Sequence, residues 1–262
     1  MPDFSIFLAA IRPQNWQALY DSIKVATKRE FELIFVGPYP LPDSLKDTPN
    51  VKFIQDYGCP TRCYQIGLLA CASPYVIFTA DDGVFLNNGV FDNALFQLEK
   101  ESFPTKKIIS FRYYEGPRIK NNPIEGVDWW RMGYHQFYSD LPYVPNEYLL
   151  VMTALVSRDY MIKMGGWDCN FKHLGIGAVD LAVRMQRDGA EVDLEGVFME
   201  MTHSPGHMGD HGPIHDSHCQ EDMPYFQKIY SDPTSVTRKI DINNWMNVPD
   251  VWDRRFPSGK PN

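Results

Sequence analysis

Ser73-Pro-Tyr-Val-Ile-Phe-Thr-Ala-Asp-Asp-Gly-Val-Phe85 is a short apolar run that stops on two adjacent carboxylates and a glycine. Tyr75 to Thr79 is β-branched and aromatic and follows a proline, which predicts a buried central strand of a parallel sheet rather than a helix. Asp81 and Asp82 then stand at that strand's carboxyl end, the edge of an open α/β sheet where ligands bind. Two carboxylates there are hard oxygen donors suited to a divalent cation that carries phosphates. An isolated Asp-Asp-Gly is also an ordinary turn, so the elements around it decide its meaning.

On the N-terminal side, Phe4 to Ile11 is an apolar run closed by Arg12-Pro13, and Trp16, Leu19, Tyr20, Ile23 and Val25-Ala26 follow at helical spacing. Phe31 to Val36 and Val51 to Ile54 are further strands. Cys63 to Ala72 reads as a helix with Ile66, Leu69 and Ala70 on one face. On the C-terminal side, Val90 to Glu101 has helical spacing and Ile108 to Tyr113 is a strand. Glu115 to Pro145 loses all periodicity, the mark of a long irregular excursion that carries function. Leu149 to Ser157 returns to strand character, Arg158 to Met164 is a short helix, and Val179 to Asp188 is a helix ended by Gly189. Glu191 to Leu194 and Val197 to Met201 are two strand candidates. Strands alternating with helices in this way predict βαβ units and a mostly parallel sheet.

The 262 residues, 44% hydrophobic, suffice for one large domain with an appendage. No apolar run approaches the roughly 20 residues that span a bilayer, and the first residues do not resemble a signal peptide, so the expected location is cytoplasmic. Five cysteines, an odd number, argue against a disulfide framework. A formal net charge of −8 gives no global footprint for a polyanion, so nucleic acid is not the favoured partner, although Arg112, Arg118, Lys120 and Arg131 could line a local groove. The Trp129-Trp130 and Tyr225-Phe226 clusters fit sugar rings or bases as well as ordinary packing.

With these elements in order, the chain from roughly Phe4 to His207 resembles the GT-A nucleotide-sugar glycosyltransferases, and within them the family 2 type. The resemblance rests on the opening strand with its Arg12-Pro13 loop, on Thr79-Ala-Asp-Asp-Gly-Val-Phe85, on Gly165-Gly166-Trp167-Asp168 followed by Phe171 and the Val179 to Gly189 helix, and on His203 downstream of a strand. It implies a single α/β nucleotide-binding sandwich over residues 1–221, with an irregular acceptor-side insert at 115–148 and a C-terminal extension at 222–262. It implies a uridine-linked nucleotide diphosphate sugar as donor, and Mn2+ or Mg2+ as cofactor, since a cation neutralises charge building on the leaving diphosphate. Asp82 and His203 would be metal ligands, with Asp81 beside the ribose. Ala10, Arg12 and Arg62 would contact the nucleotide, Arg62 through phosphate. Gly166, Trp167 and Asp168 would lie on the acceptor side. The acceptor is left open between a saccharide, a protein side chain and a modified nucleobase.

The chain also departs from the family pattern. Val36 is followed by Gly37-Pro38 where acids commonly hold the base and ribose, so base recognition would use backbone atoms and Tyr39. The family's acid pair aligns with Gly177-Ala178, which leaves Asp180 as the candidate catalytic base or as a helix-start residue, with Asp168 as another candidate. A nucleotidyltransferase and a non-catalytic binding module that has lost its base are the competing readings. His203, His207, His211, His215 and His218 recur at near-regular spacing, but Pro205, Gly206, Gly209, Gly212 and Pro213 argue for a loop rather than one helix. One or two of these histidines would line the active site, the loop closing over a bound donor, and a zinc site with Cys219 matches no familiar spacing.

Overall fold

The computed structural model describes residues 1–114, 136–200 and 209–260. Its elements run β1 (Phe4–Ala9), α1 (Pro13–Ala26), β2 (Phe31–Gly37), β3 (Val51–Gln55), α2 (Pro60–Ala70), β4 (Tyr75–Phe78), β5 (Gly83–Phe85), α3 (Val90–Glu99) and β6 (Ile108–Tyr114). After these come β7 (Gln136–Tyr138), β8 (Glu147–Leu149), β9 (Ala154–Ser157), α4 (Arg158–Lys163), α5 (Leu174–Arg187), β10 (Val192–Glu200), α6 (Gly212–Ser217) and α7 (Met223–Tyr230). Most of the insert at 115–148, with Arg118, Lys120, Trp129, Trp130 and Arg131, lies outside the described residues, as do His203 and His207. Among the described residues no helix is long and apolar enough to cross a membrane. All five cysteines are free thiols.

An eight-stranded sheet forms the centre, in the order β3-β2-β1-β4-β9-β6-β10-β5. β1 pairs in parallel with β2 and β4, β2 with β3, and β6 with β10; β9 and β5 run against their neighbours. Alternation along the central strands sends side chains to two separate cores. Phe4, Ile6 and Leu8 of β1, Phe35 of β2 and Ile77 of β4 meet Trp16 of α1 and Phe91 of α3 on one face. Phe7, Ile34, Val36, Val76 and Phe78 meet Tyr64 of α2, Trp167, Leu181 of α5 and Tyr230 of α7 on the other. Both faces being covered explains why these strands read as continuous apolar runs.

Four sequence expectations need correction. The two strand candidates after Gly189 are one strand, β10, whose register shifts between Glu195 and Val197; the extra residue is Gly196, in the left-handed region at φ 45°. The Val179 helix begins earlier, at Leu174, so Gly177-Ala178 sit inside α5 rather than before it, and Asp180 lies in its second turn rather than at its start. The supposed histidine loop is helical from Gly212 onward. Pro213 falls in the first turn, where a missing N–H does no harm, and a π-helical turn at His218–Asp222 joins α6 to α7. Finally, α2 turns a different side inward. Ile66, Leu69 and Ala70 are half-buried, while Arg62 and Gln65 are buried.

Those two polar side chains are satisfied by the segment after α7. Arg62 ion-pairs with Asp56 at 3.0 Å and donates to the carbonyls of Trp245 and Val248. The Gln65 amide donates to the carbonyls of Gly165 (3.1 Å) and Ile242 (2.7 Å) and accepts from Trp167 N–H (2.9 Å). Gly166 makes this approach feasible: its φ is 65°, and a Cβ there would lie 2.1 Å from Gln65 Oε1. The aperiodic tail therefore closes over α2 and supplies acceptors for its buried donors.

Candidate functional site

A cavity of about 490 Å3 opens at the carboxyl ends of β1, β2 and β4, where the strand order predicts a ligand. Ala10, Arg12, Gly37 and Pro38 line it beyond β1 and β2, Asp81 and Asp82 beyond β4, and Tyr113 of β6 and Met152 just before β9 join them. His173, His211, His215, His218 and Cys219 form a histidine-rich wall, and Arg255 and Phe256 complete the lining. Gly37 lies where β2 meets the end of β1 so tightly that a Cβ would fall 1.8 Å from the Ala10 carbonyl oxygen. Glycine fits there because backbone passes against backbone.

Asp81 is 1% exposed and organises the loop between β1 and α1. Its Oδ2 accepts from the N–H groups of Ile11 (2.7 Å) and Arg12 (2.7 Å) and from Trp16 Nε1 (3.1 Å), and its Oδ1 accepts from Arg12 Nη1 (2.7 Å). The same Nη1 is 3.3 Å from Asp82 Oδ2. Arg12 Nε donates to Asp210 Oδ2 at 2.8 Å, and Nη2 lies 3.3 Å from His211 Nε2. Burial alone would lower the arginine's pKa, but Asp81, Asp82 and Asp210 outweigh it and hold the pKa above its ordinary value. Three carboxylates and an imidazole thus gather round one guanidinium.

That arrangement bears on the expected metal. Among the described residues no three His, Cys, Asp or Glu side chains are arranged to hold an ion by themselves. Magnesium and manganese, however, are commonly held by one or two carboxylates with phosphates supplying the rest. The guanidinium marks where this donor set attracts positive charge, so Asp82 and Asp210 fit a cation brought in with a diphosphate, provided Arg12 turns aside. The metal ligand expected at His203 lies outside the described residues.

Five expected site residues are not brought to the cavity. Arg62 is tied to Asp56 and the tail. Gly166 packs on Gln65, and Trp167 is wholly buried with its ring edge-on to Phe7, Tyr64 and Phe78. Asp168 accepts from Asn170 and from the Arg238 guanidinium. Asp180 is 0% exposed. Its carboxylate pairs with Arg184 (2.8 Å) and Arg238 and accepts from the Tyr230 hydroxyl (2.8 Å). Burial would raise its pKa, yet the two arginines hold it below the ordinary carboxylate value.

His211, His215 and His218 come from the stretch expected to lend the site one or two histidines; His173 and Arg255 are what residue-by-residue reading missed. His173 caps α5, its Nδ1 accepting from Ile176 N–H at 3.2 Å, which leaves its ring proton on Nε2. Burial, and then His218, His211 and His215, push its pKa down to about 3, so it is neutral throughout the physiological range. The His218 ring meets it edge-on at 4.8 Å, and burial together with His215 lowers the His218 pKa as well. Beneath them Asp222 accepts from the N–H groups of Lys172 and His173, and burial raises its pKa to about 6. The sequence did hold a signal for this wall: His215, His218 and Cys219 are spaced for one helical face.

No protein-family model matches the chain, and no curated protein matches its sequence. Solved structures do resemble it. TarS of S. aureus, residues 1–349, is 12% identical with a TM-score of 0.54, over 76% of this chain and 60% of that one. GalNAc-T7 with UDP, GalNAc and Mn2+ is 10% identical with a TM-score of 0.58, over 79% of this chain and 44% of that one. The likeness is one of fold: a GT-A-like α/β sandwich on a mostly parallel sheet. The chain spans three fifths or less of the length of these solved chains.

Proposed function

We propose that the chain is a glycosyltransferase of the family 2 type, moving a sugar from a nucleotide diphosphate sugar to an acceptor hydroxyl with a divalent cation on the donor diphosphate. The observation that carries this reading is the convergence of Asp81, Asp82, Asp210 and His211 on one guanidinium at the ligand-binding edge of the sheet. A fold neighbour solved with UDP, GalNAc and Mn2+ supports it. In this reading residues 1–221 are the transferase domain, 115–148 its acceptor side, and 222–262 an extension that finishes the cavity wall.

The nucleoside would lie along Ala10, Gly37 and Pro38, whose side chains carry no charge, with the diphosphate turned toward Asp82. The cation, held by Asp82 and Asp210, would neutralise the charge that develops on the leaving diphosphate. Asp81 keeps the loop bearing Arg12 in place. Nucleoside diphosphate release from a panel of nucleotide sugars, with and without Mn2+, tests this reading, because hydrolysis reports donor use without the acceptor. Release that needs Mn2+ and falls by about 100-fold in Asp82→Ala, roughly 3 kcal/mol of transition-state stabilisation, is expected. No release from any donor by the wild type would exclude it.

Asp180 is committed to Arg184, Arg238 and Tyr230, so we assign the base to the histidine wall and to His218 within it. The groups facing His218 are His173 from the start of α5 and His215 and Cys219 from its own helical segment. A lowered pKa keeps its ring unprotonated, and so able to accept a proton, at neutral pH. The active form is the deprotonated one, so kcat/KM is expected to hold as pH falls through the ordinary imidazole value of 6.5 and to drop only below it. His218→Gln should remove that acid limb and lower kcat by about 100-fold. An unchanged limb would place the base elsewhere.

A further inference from the structure

Among the described residues two arginines line the cavity, Arg12 and Arg255, and their charges are met very differently. Arg12 faces Asp81, Asp82 and Asp210. Arg255 makes no ion pair within 4 Å among the described residues, and its one side-chain hydrogen bond, 2.8 Å from Nη2, goes to the backbone carbonyl of Asp210. Its guanidinium also lies 5.9 Å from the ring of Trp252. A guanidinium carries five donors in a planar fork that matches phosphate oxygens, and among the described residues only one nitrogen of this fork is engaged.

The position of Arg255 is fixed by its neighbours. Trp252 N–H donates to the carbonyl of Tyr57 at 2.9 Å, and Val251 bridges to Tyr57 just beyond β3. Arg255 and Phe256 N–H groups donate back to the Trp252 carbonyl, at 3.0 and 2.8 Å, and the Phe256 ring stands edge-on to Tyr57 at 5.7 Å. This tight turn is pinned just beyond β3 and holds the guanidinium at the cavity, beside the backbone of Asp210. A positive charge held there with a neutral carbonyl as its only side-chain hydrogen-bond partner among the described residues is poised for an anion.

We infer that Arg255 binds the diphosphate of the donor, its fork taking phosphate oxygens. The identity of the anion rests on the nucleotide-sugar reading above; the existence of an anion site does not. Burial also lowers the Arg255 pKa, the mark of a charge without enough compensation in the free protein. An arriving phosphate supplies that compensation.

Isothermal titration of the full chain with inorganic pyrophosphate, UDP and uridine, in wild type, Arg255→Gln and Arg255→Lys, tests the inference. Arg255→Gln should weaken pyrophosphate and UDP by about tenfold or more, the scale of a lost charge-assisted contact, and leave uridine unchanged. Arg255→Lys, which keeps the charge but not the fork, should fall between. Should Arg255→Gln not fold, Arg255→Lys decides by the same ratio of diphosphate to uridine affinity. Equal affinities in all three proteins, or equal losses for uridine and UDP, would overturn the inference while leaving the transferase reading standing. Pyrophosphate binding that depends on Arg255, without turnover of any nucleotide sugar, would uphold the anion site and remove the transferase. A wild type that binds neither pyrophosphate nor UDP would overturn both.

Discussion

Asp180→Leu is expected to lower the unfolding free energy by about 3–5 kcal/mol, the usual consequence of removing one partner from a buried ion pair. Arg184 and Arg238 would both lose their carboxylate inside the fold, and Tyr230 would lose its acceptor. Urea denaturation at neutral pH measures the effect. Adding Arg238→Met should recover part of the loss, because the pair is then removed as a unit and the two changes are coupled rather than additive. The pH dependence has a definite sign. Asp180 has a folded pKa below the ordinary 3.8, so its pairing contributes fully above pH 3.8 and is lost as pH falls through that lower folded value. A variant that stays as stable as wild type but loses turnover would instead return Asp180 to the role of base.

Asp81→Ala is expected to remove stability and ligand binding together. Three donors, the N–H groups of Ile11 and Arg12 and the Trp16 indole, would lose their acceptor, and the Arg12 guanidinium would lose a partner at 2.7 Å. Each buried donor left unsatisfied costs about 1–3 kcal/mol, and with water entering from the cavity side the net loss should be roughly 3–5 kcal/mol. Because Arg12 also reaches Asp210, release of the loop should loosen the histidine wall, and pyrophosphate affinity should fall with the melting temperature. Retained stability with lost turnover would support a ribose-facing role for Asp81 and count against the loop-holding one.

The central strands were legible because burial on both faces leaves long apolar runs. The acid pair was legible because it interrupts such a run at a strand end. Asp180 shows what local reading lacks: it stands where a base or a helix cap is equally natural, and what fixes its role is Arg238, 58 residues later in a segment without periodicity. Arg62 reads as a phosphate contact by resemblance, yet its partners are Asp56 and two carbonyls of the tail. The helix through His215 was hidden by glycines and a proline that mark its beginning rather than forbid it. Arg255 has no motif at all; only the turn pinned to Tyr57 gives it a place.

The tail that supplies acceptors to Arg62 and Gln65 also sets an order of events during synthesis. The ribosome delivers β1 to β4 and α2 long before residues 242–248 emerge, so a nascent chain can assemble the parallel half of the sheet while the polar side of α2 is still bare. Until the tail arrives, that side is open to water and to chaperones. Trp252 reaches Tyr57 later still, so the half-made protein has Asp81 and Asp82 beside its first strands but no Arg255 yet to meet an anion.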